Sequence, residues 1–197
     1  MKNSSMKNGS AEIPVAARCA WAEAHPLLTR YHDREWGRRV RNDRVHFEFL
    51  VLEAAQAGLS WLTVLKKRSA YRKHFANFDF NKVARFDEFH FRRMMNDPGV
   101  IRNELKIRSA IGNARPFLDV RNEFGTFDRY LRSFAGEEPI VNKIRSMRDI
   151  PSASPLSDAI SKDLKKRGFR FVGTTVIYAH LQAVGIVNDH EDRCFRK

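Results

Sequence analysis

Apolar residues recur at helical spacing along most of the chain and predict a series of short helices. The stretch VHFEFLVLEAAQA, residues 45–57, has this spacing, and Gly58 is expected to end the helix. A second helix is predicted from Ser60 through WLTVLKKRSAYRKHF, with basic residues toward its C-terminus, as the helix dipole favours. The first helix is nearly all apolar or small, yet it contains Glu53, and burying a lone carboxylate is costly unless it is paired or neutralised.

Further helical segments are predicted in the middle of the chain. Two short ones are NKVARF (81–86) and EFHFRRMM (88–95). The stretch DPGVIRNELKIRSAIGNARPFLDVRNEFG, residues 97–125, predicts a turn followed by a long helix. The segment FDRYLRSF (127–134) repeats the helical signal more weakly.

The strongest helix signals lie in PSASPLSDAISKDLKKRG, residues 151–168. Ser154 is a capping residue, Pro155 suits the first helical position, and Gly168 follows a basic last turn. The next stretch, FRFVGTTVIYAHLQAVG, predicts a buried helix opened by Gly173. No run alternates for long enough to predict a sheet and no repeat is visible, so the predicted fold class is all-α.

Composition narrows the class of protein. The 197 residues, 43% of them hydrophobic, fit a single globular domain over 18–197, preceded by a polar, disordered tail over 1–17. The net charge of +13 favours nucleic acid or an anionic membrane surface as partner. No run approaches the length of a membrane span, and two distant cysteines predict no disulfide framework. We therefore expect a monomeric, cytoplasmic protein that binds nucleic acid and no membrane.

The turn in residues 97–113 is a candidate DNA-binding element. A short connection around Pro98, Gly99 and Val100 between two helices is typical of a helix-hairpin-helix, whose backbone N–H groups bind a DNA phosphate. Basic side chains that would add charge without reading sequence are Arg102, Lys106 and Arg108. An ordinary Pro-Gly connection between helices explains the same residues, and at this point both interpretations stand.

Four possible metal ligands lie near the two ends of the chain. Cys19 and His32 are thirteen residues apart, and His190 and Cys194 are four apart. Together they form a Cys₂His₂ set, which suits tetrahedral zinc, although the spacing is not that of a zinc finger. Two unrelated pairs remain the alternative. A metal joining these segments would close a very long loop, where a cross-link removes most entropy from the unfolded chain.

Aromatic residues concentrate in the first third of the chain. They include Trp21, Tyr31 and Trp36, with Trp61 just after the helix that contains Glu53. Each of them alone is more typical of a core residue. Together with Glu53 and a basic surface, they can also form a pocket for a flat ligand such as a flipped-out base.

Five sequence blocks, in order, resemble the bacterial DNA-3-methyladenine glycosylase I family. They are RCAW (18–21), YHDREWG (31–37), LEAAQAGLSWLTVLKKR (52–68), KKRGFRFVGTT (165–175) and LQAVGIVNDH (181–190). The resemblance covers roughly residues 18–195. It implies an all-α helix-hairpin-helix glycosylase fold, with the motif over about 93–113, and a partner that is double-stranded DNA containing alkylated adenine.

The resemblance also implies roles for individual residues. One structural Zn²⁺ would be bound by Cys19, His32, His190 and Cys194. Trp61 would stack on 3-methyladenine, Glu53 and Tyr31 would hydrogen-bond its polar edge as the catalytic pair, and Trp21 and Trp36 would lie nearby.

Three positions refine this implied chemistry. Asn103 stands where related bifunctional glycosylases carry a lysine, so strand cleavage is not expected. Asp119 falls loosely near the position of an aspartate that many superfamily members use, and it is expected to be a surface residue. Leu28 stands where some relatives have an aromatic pocket residue, which alters the expected shape of one wall.

Overall fold

Helices make up most of the structure, a computed structural model that describes residues 17–197. The predicted tail over 1–17 lies, apart from Ala17, outside these residues. Three short 3₁₀ turns cover Ala20–Ala24, Ala76–Phe78 and Met147–Asp149. The α-helices are α1 (Pro26–Arg34), α2 (Asp43–Gln56), α3 (Trp61–His74), α4 (Phe80–Val83), α5 (Glu88–Asn96), α6 (Glu104–Gly112), α7 (Ala114–Phe124), α8 (Phe127–Ala135), α9 (Pro155–Lys166) and α10 (Thr174–Ala183).

Two very short strands correct the all-α prediction. The strand β1 (Ile140–Val141) pairs in parallel with β2 (Val187–Asn188), with Ile140 opposite Val187. Two residues are too few to produce an alternating pattern, and each strand lies in a connection between or after helices. The pairing of β1 with β2 therefore could not be predicted from the sequence. The chain is mostly helical, with one small parallel pair that joins the connection after α8 to the segment after α10.

The helix α2 lies at the centre of the fold. Asn42 caps its N-terminus through hydrogen bonds from Arg44 N and Val45 N, and every residue from His46 to Ala55 is buried. A helix that is buried all round must have neighbours on all sides. Those neighbours are α3, α6, α8 and α10. The predicted helix over 45–57 is confirmed, and Gly58, at φ +77°, takes the left-handed conformation just beyond its end.

The long helix predicted after residue 100 is divided in two. α6 ends at Gly112 and α7 begins at Ala114. Pro116 explains the break, because proline has no N–H to donate to the carbonyl of Gly112 and its ring would clash with that carbonyl. Asn113, between the helices, accepts from Arg170 N at 2.8 Å and donates to Arg170 O at 2.9 Å, which joins this break to the loop before α10.

The signals in residues 151–168 are confirmed. Ser154 accepts a hydrogen bond from Ser157 N, Pro155 is the first residue of α9, and Gly168 lies just beyond the C-terminal cap with φ +94°. The following helix α10 begins after Gly173 and packs against α2 and α9. Within the part of the chain that the structure describes, none of the helices combines the length and apolar character needed to cross a membrane.

Candidate base-binding pocket and metal centre

A concave pocket of about 230 Å³ contains all five aromatic and acidic residues proposed from the sequence. This volume is small compared with the pockets of drug-sized ligands and suits one flat ring system. The lining residues are Trp21, Tyr31, Trp36, Glu53, Gln56, Trp61, Met147, Ile150, Ala179 and Gln182. The predicted cluster is therefore formed by the fold.

Separate elements position the aromatic walls. Tyr31 lies on α1, and Trp61 is the first residue of α3, placed there by the Ser60 cap, which accepts from Thr63 N. The Tyr31 and Trp61 rings have centroids 5.2 Å apart and are tilted by 53°. Trp21 and Trp36 meet edge to face at 5.0 Å. These contacts hold the rings in one arrangement, so the pocket is formed before any ligand arrives.

The Glu53 carboxyl is buried in this pocket without a protein partner. The residue is 5% exposed, and no side chain or backbone group in residues 17–197 forms a hydrogen bond or ion pair with it. Burial raises its pKa to about 8, because the charged form loses its hydration. At pH 7 the Glu53 carboxyl is therefore mostly in its neutral form.

Two further polar groups face similar conditions. Burial, and secondly the nearby Glu53, raise the pKa of Tyr31 well above 10, so its hydroxyl keeps its proton and can donate. The indole Nε1 of Trp61 is buried with no hydrogen-bond partner among the described residues. A buried donor without a partner is rare and costly, and it indicates a ligand or a water as the missing acceptor.

The sequence did not single out five of the lining residues. Ala179 and Gln182 lie three residues apart on α10, a spacing that places both on one face of the helix. This spacing was the sequence feature from which the two pocket residues could have been predicted. Gln56 follows Glu53 at the same spacing on α2. Met147 and Ile150 come from the irregular connection after β1, which gave no signal. Leu28 is not among the lining residues, so having leucine instead of an aromatic residue at this position leaves this pocket unchanged.

The four predicted metal ligands converge at one point. One ligand atom from each of Cys19, His32, His190 and Cys194 lies within 4.8 Å of all the others, and all four residues are buried. Cys194 Sγ is 3.3 Å from His32 Nε2 and 3.5 Å from His190 Nδ1. Cys19 Sγ is also 3.5 Å from His190 Nδ1. The alternative of two unrelated pairs is wrong, since the fold joins them.

The shape of this cluster fits a tetrahedral ion. Zinc bonds of about 2.0–2.3 Å at tetrahedral angles place ligand atoms roughly 3.3–3.8 Å apart, which matches the short contacts. The outer groups also suit a metal, because His32 Nδ1 lies 2.8 Å from Asp33, which Arg18 holds in turn. Glu191 N donates to Cys19 Sγ at 3.2 Å, which would stabilise a thiolate. These residues can hold one metal ion.

Burial alone favours the uncharged forms of Cys19 and His190. It raises the pKa of the Cys19 thiol to about 12 and lowers that of His190 to about 4. A cation reverses this for the thiol, because metal binding deprotonates cysteine.

Gly37 approaches His190 so closely that a Cβ there would lie 2.6 Å from the ring Nε2, and its φ of +73° also favours glycine.

The turn between α5 and α6 has the expected short form, but its polar groups are partly engaged. Gly99 N donates to Asp97 Oδ1 at 2.7 Å, and the Asp97 carboxylate lies 2.7 Å from His74 Nε2. Val100 is buried, whereas Arg102 is exposed.

Three other positions near this turn have definite structural surroundings. Lys106 donates to the carbonyls of Ala55 and Ala57 at the end of α2. Asn103 caps α6 by accepting from Lys106 N at 3.0 Å. Asp119 is exposed at the surface, as predicted.

Comparisons with known proteins identify the family of this chain. A family model described as methyladenine glycosylase matches residues 21–197. The chain is 46% identical over 177 residues to DNA-3-methyladenine glycosylase 1 of Escherichia coli, an alignment that covers 90% of this chain and 95% of that protein. A crystal structure of 3-methyladenine DNA glycosylase I matches with a TM-score of 0.87 at 44% identity, over 91% of this chain and 98% of the other.

A further solved relative concerns the recognition of a base. It is the Staphylococcus aureus 3-methyladenine DNA glycosylase I, in a study of how that protein recognises 3-methyladenine. The match has a TM-score of 0.87 and 31% identity, over 91% of this chain and 96% of the other. With the family model spanning nearly the whole described chain and with relatives this similar, the chain belongs to the methyladenine glycosylase family of enzymes.

Proposed function

We propose that the chain is a monofunctional DNA glycosylase that flips 3-methyladenine out of alkylated double-stranded DNA and hydrolyses its glycosidic bond. The observation that carries this proposal is the buried, unpartnered Glu53 carboxyl inside an aromatic pocket. The names of the relatives support the choice of base. Among residues 17–197 the buried hydrophobic residues form one core that extends from Cys19 to Cys194, which supports a single catalytic domain over 18–197.

The chemistry of the base explains why so few groups suffice. Methylation at N3 makes adenine cationic, so its glycosidic bond is already labile and the leaving base needs little protonation. Each well-placed aromatic face contributes about 0.5–2 kcal/mol to binding a cation. Trp61 would stack on the base, Tyr31 would donate to its edge, and Glu53 would lose its proton and balance the positive charge. Unmodified adenine cannot use that charge, so the pocket discriminates by differential binding.

Water completes the reaction in this proposal. It attacks the anomeric carbon of the sugar, the glycosidic bond breaks, and the electron pair of that bond neutralises the departing base. The attacking water keeps one hydrogen in the new sugar hydroxyl and releases the other as a proton to solvent. The products are free 3-methyladenine and an abasic site. No covalent bond to the protein is required, which agrees with Asn103, an amide that caps α6, at the position where a lyase would need an amine.

We also infer that Cys19, His32, His190 and Cys194 bind one structural Zn²⁺. All four positions are occupied by protein atoms, which is typical of structural rather than catalytic zinc. When bound, the ion supplies a cross-link between the segment before α1 and the segment after β2. That cross-link would fix Trp21 and Trp36, whose rings neighbour His32 at 5.4 and 6.2 Å.

DNA would approach through the turn between α5 and α6. A helix-hairpin-helix over about 93–113 would place the backbone of Gly99 and Val100, with Arg102, against a phosphate. In the free chain the Gly99 N–H already donates to Asp97, so a phosphate would have to displace or share that carboxylate. We expect the protein to act as a monomer in the cytoplasm.

The decisive experiment is base release. The full-length protein is incubated with methylated duplex DNA, and free 3-methyladenine is measured by chromatography. Release with intact strands supports the proposal. Binding without release would favour a non-catalytic damage-binding protein. Strand cleavage at the abasic site, or an adduct trapped by borohydride, would favour a bifunctional glycosylase/lyase.

A further inference from the structure

The pocket residue Gln182 is held by a buried polar network behind it. Its side-chain Nε2 donates to Asp189 Oδ2 at 2.6 Å, and Tyr178 OH donates to the same oxygen at 2.8 Å. Asn142 Nδ2 donates to the other oxygen, Oδ1, at 2.7 Å. Asp189 is 1% exposed and follows directly after β2, while Asn142 follows β1. The small parallel pair thus brings together the two halves of the network.

This network fixes which end of the Gln182 amide faces Asp189. A carboxylate can only accept hydrogen bonds, so the NH₂ group must point toward it, and a flipped amide would place two oxygens in contact. The carbonyl oxygen Oε1 is therefore the end of the Gln182 amide that points away from Asp189. It forms no hydrogen bond with any residue in 17–197, yet it is not enclosed, and Gln182 lines the pocket. The pocket thus contains a fixed hydrogen-bond acceptor.

Fixed polarity distinguishes Gln182 from Glu53. A carboxyl whose pKa lies near neutrality can donate when protonated and accept when ionised, so the hydrogen-bonding polarity of Glu53 depends on its protonation state. The Gln182 carbonyl can only accept. A 6-amino purine presents a donor to it, whereas a 6-oxo purine presents a second acceptor. In that case no hydrogen lies between the Gln182 oxygen and the oxygen of the base. Sites built to hydrogen-bond a donor reject analogues that lack it.

We propose that Gln182 is a specificity-determining residue that accepts a hydrogen bond from the exocyclic amino group of the methylated base, and that Asp189 is the positioning residue that keeps its carbonyl oxygen facing the pocket. This inference rests on the proposed function and names the part of the site that separates 6-amino from 6-oxo bases. Tyr178 and Asn142 support Asp189 and do not touch the base.

The test measures release of two bases from one substrate. Duplex DNA treated with a methylating agent contains both 3-methyladenine and 3-methylguanine, which carry a 6-amino and a 6-oxo group. Gln182→Met keeps the size of the side chain but removes the acceptor. We expect kcat/KM for 3-methyladenine to fall about tenfold, the value of roughly one hydrogen bond. Release of 3-methylguanine should stay constant or rise, so the ratio of the two rates falls.

Two more variants separate positioning from stability. Asp189→Asn can either accept from or donate to Gln182, so the amide loses its single orientation and the ratio should also fall. Adding Asn142→Asp to it exchanges the two groups and should recover the ratio. The new carboxylate at position 142 can only accept, so it binds the NH₂ group of the new amide at position 189, whose carbonyl then accepts from Gln182. Tyr178→Phe is the matched control, because it removes a hydrogen bond to Asp189 while leaving the Gln182 contact, and the ratio should not change.

The outcomes are distinguishable. An unchanged ratio in Gln182→Met, with 3-methyladenine still released by the unmodified protein, overturns the inference and leaves the proposed function intact. If the unmodified protein releases neither base, the proposed function itself fails. Equal losses for both bases in every variant, including Tyr178→Phe, would show that the network serves stability alone. Thermal melting of each variant identifies that case directly.

Discussion

Cys194 Sγ lies 3.3 Å from His32 Nε2, although the two residues are 162 positions apart in the sequence. Their spacing in the sequence left two unrelated pairs as an alternative, and the fold brings them together with Cys19 and His190. A metal ion at this point would tie the beginning of the described chain to its end. Stability, rather than chemistry at the base, is therefore the property most sensitive to these four residues.

We expect purified protein to contain one zinc ion per chain and to lose stability when it is removed. A cross-link that closes so long a loop removes about 4–5 kcal/mol of entropy from the unfolded chain. Cys194→Ser should lose the metal and melt at a lower temperature. His90→Gln is the control, since His90 pairs with Asp87 at the start of α5, outside the cluster, and it should retain the metal. Metal analysis and thermal melting decide this, and metal-free protein of unchanged stability would contradict it.

The raised pKa of Glu53 predicts an unusual dependence of stability on pH. Between its unfolded value of 4.5 and its folded value of about 8, this carboxyl is protonated in the folded state and ionised in the unfolded state. The folded state then holds the extra proton, so the Glu53 contribution to the free energy of unfolding falls by about 1.4 kcal/mol for each pH unit as pH rises through this window. Glu53→Gln removes that loss.

The measurement is denaturant unfolding of both proteins between pH 5 and pH 9. The variant should gain stability relative to the parent as pH rises toward 8, and the difference should level off above that. Glu123→Gln is the comparison, because Glu123 is an exposed partner of Arg167 with a lowered pKa, and its effect should be constant across this range. A Glu53→Gln difference that is also constant would place the Glu53 pKa near its ordinary value.

The two polar pocket residues should differ in their effect on excision. Glu53→Gln removes the charge that balances the cationic base, and we expect kcat/KM for 3-methyladenine release to fall about 10- to 100-fold, the value of a hydrogen bond to a charged group. Tyr31→Phe removes a neutral donor and should cost about fivefold. Binding of undamaged DNA should stay the same in both variants. Equal activity of Glu53→Gln and the unmodified protein would remove Glu53 from the reaction.

Local signals in the sequence predicted much of this fold because each has a local cause. Ser154 is a preferred capping residue and Pro155 suits the first helical position, and the structure places the start of α9 there. The sequence pattern did not predict that the long helix is divided at Asn113. Pro116 was a signal for this break, but the apolar spacing continues across it. The strands β1 and β2 could not be predicted, since their two residues each are selected by contacts between distant segments.

The pocket was predictable only in part, for a related reason. Glu53 stood out because a carboxyl among apolar residues contradicts its surroundings, and the structure confirms that it is buried. Gln182 gave no such contradiction. An amide is acceptable on a helix, and its importance arises from Asp189, which only the fold places behind it. Residues whose role depends on a tertiary partner are those that a single sequence leaves unmarked.

Arg102 and Lys106 were both predicted to contact DNA, and the structure leads us to expect different behaviour. Arg102 is exposed and forms no ion pair among the described residues, whereas the Lys106 ammonium is held by the carbonyls of Ala55 and Ala57. Arg102→Ala should weaken binding of undamaged duplex and reduce the slope of log affinity against log salt by about 0.9, the value for one phosphate contact. Lys106→Met should instead lower the free energy of unfolding by about 1–3 kcal/mol, because two carbonyls at the end of α2 lose their donor. Fluorescence anisotropy at several salt concentrations and denaturant unfolding separate the two effects. A salt slope that changes with Lys106→Met and not with Arg102→Ala would show that the lysine leaves α2 to bind the phosphate.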